Sequence, residues 1–114
     1  MLIIAIILFL IAAGFGLVVL VSILQDKSTP KAFVFTHGAF AVTALLIVIY
    51  YTLMHLNSAP TVSLIIFVIA ALGGLTLFVL DMMGKKLPKS LALLHPIIAV
   101  IAVLTLAIFV LTHI

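Results

Sequence analysis

The chain has 114 residues, 68% of them hydrophobic and only 6% charged, with a formal net charge of +3. Such a mean hydropathy, +1.70, excludes a water-soluble globular domain. The absence of cysteine removes disulfides and thiolate metal ligands from consideration, and the small basic excess sits in short connectors, so no nucleic-acid partner is expected.

Taken in chain order, the apolar runs predict four membrane spans, at 2–25, 32–56, 61–83 and 90–113, joined by connectors at 25–31, 57–60 and 84–89. Each run meets the ~20 apolar residues that a helix needs to cross a bilayer. The first run has no basic segment before it and no small-residue cleavage site after a short apolar stretch, so it is expected to persist as a helix. Only helices or closed barrels satisfy their backbone polar groups in lipid, and strand-like alternation is absent. An all-α, up-down four-helix transmembrane bundle follows, as a single domain over 1–114, with the membrane lipid as its first partner.

All five basic residues, Lys27, Lys31, Lys85, Lys86 and Lys89, fall in or beside the first and third connectors. The positive-inside rule therefore predicts those connectors on the cytoplasmic side and both termini opposite, in a bacterial inner membrane.

The second half of the chain repeats the first. Overlaying 3–56 on 61–114 without a gap, at a constant offset of 58, aligns Phe9 with Phe67, Gly16 with Gly74, Lys27 with Lys85, Pro30 with Pro88, Lys31 with Lys89, His37 with His95 and His55 with His113. Apolar composition explains coincidences of Ile, Leu, Val and Ala, but not the shared register of these residues. A tandem duplication of a two-helix hairpin is the expected origin. Such a repeat makes the second and fourth helices parallel, about an axis along the membrane normal.

The four histidines carry the chemistry. The members of each pair, His37/His55 and His95/His113, are separated by 18 residues, which is five helical turns and about 27 Å of rise, so both point from one helix face. His37 then shares a depth with His95, and His55 with His113. If successive helices pass around a square, the second and fourth helices face each other across the core and offer two opposed imidazoles at each depth. Opposed neutral imidazoles suit the axial positions of haem iron. Ala41, Ala44, Ala99 and Ala102 follow on the same faces, leaving room for a flat macrocycle or for close helix approach.

With these four spans and histidines the chain resembles a dihaem b-type transmembrane cytochrome of the cytochrome b561-like class, whose four-helix core holds two bis-histidine haems near opposite membrane faces. The resemblance implies two b-type haems as cofactors. One is bound by His37 and His95 near the cytoplasmic face, the other by His55 and His113 near the outer face. It implies transmembrane electron transfer as a subunit of a membrane oxidoreductase or respiratory complex, with redox subunits or a quinone as partners. A homodimer sharing haems between chains is an alternative pairing.

The remaining polar residues have simpler expectations. Asp81 is placed to pair with Lys85 one turn on, with a proton path for quinol chemistry as the functional alternative. Lys31 and Lys89 are candidates to neutralise haem propionates, and Tyr50 and Tyr51 to join an interfacial aromatic belt. Met54, Met82 and Met83 form no repeat-related pair. Pro96 follows His95 directly and predicts either a bend in the fourth helix or a separate turn over 87–94. A small multidrug-type transporter is excluded because the chain has no glutamate and no acid within its first span. A histidine-lined metal permease would want ligands closer together than 27 Å. A cofactor-free assembly or structural subunit of a membrane complex is the main alternative.

Overall fold

The computed structural model describes residues 1–113; Ile114, the last position of the expected second repeat, lies outside them. Four helices make up the fold: α1 (Leu2–Leu24), α2 (Lys31–Met54), α3 (Thr61–Met82) and α4 (Lys89–Thr112). Their ends fall within two residues of the expected ones. All four are long and apolar enough to cross a membrane, and at 1.5 Å per residue each spans roughly 33–36 Å, slightly more than the hydrocarbon thickness. The bundle measures 44 × 20 × 19 Å.

The sequence marks the helix boundaries chemically. Pro30, Pro60 and Pro88 stand at the N-caps of α2, α3 and α4, where a proline loses no helical hydrogen bond. After α1 and α3 the chain turns through a left-handed residue, Asp26 (φ 56°) and Gly84 (φ 70°). In both turns the next amide reaches back to close the helix end, Lys27 N–H to Ser22 O at 2.9 Å and Lys85 N–H to Leu80 O at 3.0 Å. Asp26 and Gly84 are themselves 58 positions apart.

The helices pack around a square, with sides α1–α2, α2–α3, α3–α4 and α4–α1 and diagonals α1/α3 and α2/α4. Outward faces carry large apolar side chains on every helix, as contact with lipid tails requires. Close approach inside is permitted by alanines: Ala5, Ala44 and Ala102 are fully buried. Across the α1/α3 diagonal Phe9 stacks on Phe67, ring centroids 4.1 Å apart and nearly parallel.

This core is lopsided. Leu2, Ala5, Phe9, Val48, Thr52, Ser63, Phe67 and Leu106 fill the half of the bundle nearest the chain ends and the 57–60 connector. Beyond the helix midpoints, towards the lysines, only Thr29 and Ala92 are buried among the described residues. Helix α4 runs unbroken through Pro96, so 87–94 is not a separate turn; the proline leaves the Ala92 carbonyl without its helical donor.

Candidate functional site

His37 and His95 meet in the looser half. They project from α2 and α4 across the diagonal, half-buried, with ring centroids 6.2 Å apart and planes nearly perpendicular (89°). Each ring is tied to the preceding helix of its own hairpin. His37 Nδ1 lies 2.7 Å from the Ala12 carbonyl and His95 Nδ1 lies 2.8 Å from the Ala70 carbonyl. A carbonyl only accepts, so Nδ1 carries the proton in both rings and the lone pair of a neutral imidazole is left on Nε2. The hydrogen bonds of both rings run through Nδ1, and His95 Nε2 lies 3.3 Å from where a Cβ at Gly74 would stand.

The seat of each ring is a glycine one turn beyond that carbonyl. A Cβ added at Gly16 would stand 2.9 Å from both Cε1 and Nδ1 of His37, and one at Gly74 would stand 2.9 Å from Cε1 of His95. Carbonyl and gap thus lie on one stripe of α1, repeated on α3, and together they fix where each imidazole sits. The sequence overlay aligned these glycines without assigning them this role.

The centroid spacing is the one feature of the pair that can be compared with ligation of a metal ion. Two imidazoles bound through Nε2 to opposite sides of one metal ion, at metal–nitrogen distances of about 2.0–2.1 Å, have ring centroids about 6–6.5 Å apart. The second ring nitrogen of a metal-binding histidine ordinarily donates to a carbonyl or carboxylate, which orients the ring; Ala12 and Ala70 supply that acceptor here. Among the described residues no three potential ligand side chains converge.

His55 and His113 are arranged differently. They are the exposed C-cap residues of α2 and α4. Each Nδ1–H turns back to its own helix, to the Tyr51 carbonyl (3.0 Å) and the Phe109 carbonyl (2.8 Å). Their rings stack on Tyr51 and Phe109 at 4.1 and 4.0 Å, and those two rings touch each other edge-on at 6.4 Å. The result is an aromatic row, His55, Tyr51, Phe109, His113, above the packed half of the core. As seated, each outer histidine is held by a carbonyl and an aromatic ring of its own helix.

The acids also differ from expectation. Asp81 pairs with Lys31 at 2.8 Å, not with Lys85. The Thr29 hydroxyl, almost fully buried, donates to both Asp81 oxygens and accepts from the Lys31 ammonium. A second cross-hairpin pair joins Lys89 to Asp26 at 3.2 Å, with both side chains about half exposed. Asp81→Asn is expected to destabilise the bundle by about 1–2 kcal/mol, because it weakens a hydrogen-bonded carboxylate that is mostly shielded. Asp26→Asn should change stability by less than about 0.5 kcal/mol, as exposed pairs do. Unfolding titrations of the two variants in detergent would separate them. Met82 and Met83 are exposed at the lysine end and Met54 at the other.

Comparison with known proteins adds no relative: no family model matches the chain, and no curated protein and no solved structure matches it.

Proposed function

We propose that the chain is a b-type haem protein of the membrane that carries electrons within the bilayer, with His37 and His95 as axial ligands. The observation that carries this reading is the perpendicular imidazole pair of His37 and His95, 6.2 Å between centroids, with both Nδ1 atoms committed to backbone carbonyls. When bound, haem supplies one-electron redox chemistry whose potential the protein tunes. The chain's own residues hold and orient the two nitrogens: Ala12 and Ala70 set the tautomer, Gly16 and Gly74 set the ring positions, and the alanines after each histidine allow close helix approach.

In the two-haem form of this proposal His55 and His113 bind a second group near the other membrane face. That form requires both rings to leave Tyr51 and Phe109, or to pair with those of a second copy, since both are exposed at one end. Two haems would complete a path from face to face. One haem would leave the path to be completed by a partner subunit or by a quinone. The lysine connectors lie on the cytoplasmic side in this scheme.

Optical spectra of the detergent-purified chain, oxidised and reduced, with haem counted per chain, test the proposal. A low-spin spectrum with one haem supports the His37/His95 centre, and two support the dihaem form. A colourless protein after expression with ample haem overturns the reading and favours a cofactor-free subunit of a membrane complex.

A further inference from the structure

We propose that the groove between the two lysine-bearing connectors binds the phosphate headgroup of an anionic lipid. The groove, about 420 Å³, opens at the end of the bundle between the α1–α2 and α3–α4 turns, and Lys27, Lys85 and Lys86 line it together with the Lys31–Asp81 pair and the Asp26 carboxylate. The chain's two acids are already engaged, Asp81 by Lys31 and Thr29 and Asp26 by Lys89. Lys27, Lys85 and Lys86 have no acidic partner among the described residues, and the lining sets four lysines against Asp26 and Asp81.

Depth selects the ligand. The molecule is 44 Å long, which matches the ~40–45 Å of a bilayer counted with its headgroups and exceeds the ~30 Å of hydrocarbon. The connectors therefore stand at headgroup level, where lipid phosphate is the most concentrated anion. Ile23 and Leu87 in the same lining give an apolar flank suited to the start of an acyl chain. Basic pockets between transmembrane helices recognise anionic headgroups through this combination of charge and depth. Lipid capture here is independent of what His37 and His95 hold.

The test is native mass spectrometry of the full chain in detergent, offered phosphatidylglycerol or phosphatidylcholine with the same acyl chains. Phosphatidylglycerol should be retained in preference to phosphatidylcholine. Lys27→Gln, Lys85→Gln and Lys86→Gln should each weaken its binding about fivefold, and the triple variant about a hundredfold. In Lys86→Gln/Ser90→Lys the charge is restored at the same end of the bundle but outside the groove, and binding should remain weak. Full recovery in that double variant would reduce the effect to general surface attraction and overturn the proposal. So would equal retention of the two lipids, or displacement of phosphatidylglycerol by equimolar inorganic phosphate. Unchanged helical circular dichroism in each variant ensures that a loss of binding reports the groove.

Discussion

On the proposed haem reading, His37→Ala and His95→Ala are each expected to lower haem content at least tenfold, whereas His55→Ala and His113→Ala leave the proposed His37/His95 centre intact. The asymmetry follows from how the rings are held. His37 and His95 are oriented by a carbonyl of a neighbouring helix and seated on a glycine, so both imidazoles of the proposed centre are restrained by the protein alone. His55 and His113 rest on their own helices, exposed, and restrain nothing across the bundle. Removing one inner imidazole also deletes a hydrogen bond between the helices of a hairpin, with a stability cost of about 1 kcal/mol. Loss of haem through unfolding and loss through the missing ligand are distinguished by adding imidazole. The free base occupies the vacated position, so recovery of the low-spin spectrum in His37→Ala identifies the residue as a ligand. Full haem retention with an unchanged spectrum in both inner variants would sink the assignment.

Gly16→Ala and Gly74→Ala carry the second large effect, an expected loss of about 1–3 kcal/mol each, the usual range for forcing an extra methyl into a packed site. At 2.9 Å from the ring the new methyl group cannot stay unless the imidazole shifts. The ring cannot shift without lengthening its bond to Ala12 or Ala70. These variants should therefore move the haem spectrum or lower haem affinity as well as stability. Gly14 and Gly38 are the internal controls, because an added Cβ meets nothing within 4 Å at either position. Alanine there should be neutral or should stabilise the helix by up to about 1 kcal/mol. Unfolding midpoints and haem spectra of the four alanine variants, measured in the same detergent, decide the matter. If all four behave alike, the glycines serve only general helix packing.

Much of this molecule could be read along the chain because lipid makes the rules local. A backbone in hydrocarbon must satisfy its own hydrogen bonds, so each long apolar run is a helix, and Pro30, Pro60, Pro88 and Gly84 mark where runs begin or turn. Short connectors then leave few arrangements; the shared offset of 58 set His37 at the register of His95, and packing around a square placed the two on a diagonal. Spacing failed where a side chain had more than one partner within reach. Asp81 has Lys85 one turn away on the chain, yet it binds Lys31 of another helix, because the packing of α2 beside α3 brings that ammonium and the Thr29 hydroxyl to the carboxylate. His55 and His113 repeat the register of the inner pair, yet as helix-terminal residues they fold back onto Tyr51 and Phe109. Periodicity specifies the face and depth of a residue. The rotation of each helix about its axis and the side of the bundle that closes tightly are set by packing among all four, here by Phe9 on Phe67 and the alanines beside them. Helix identity, span ends and the depth of the histidines were thus determined by sequence alone, while the ion-pair partners, the glycine seats and the different settings of the two histidine pairs were decided by the tertiary structure.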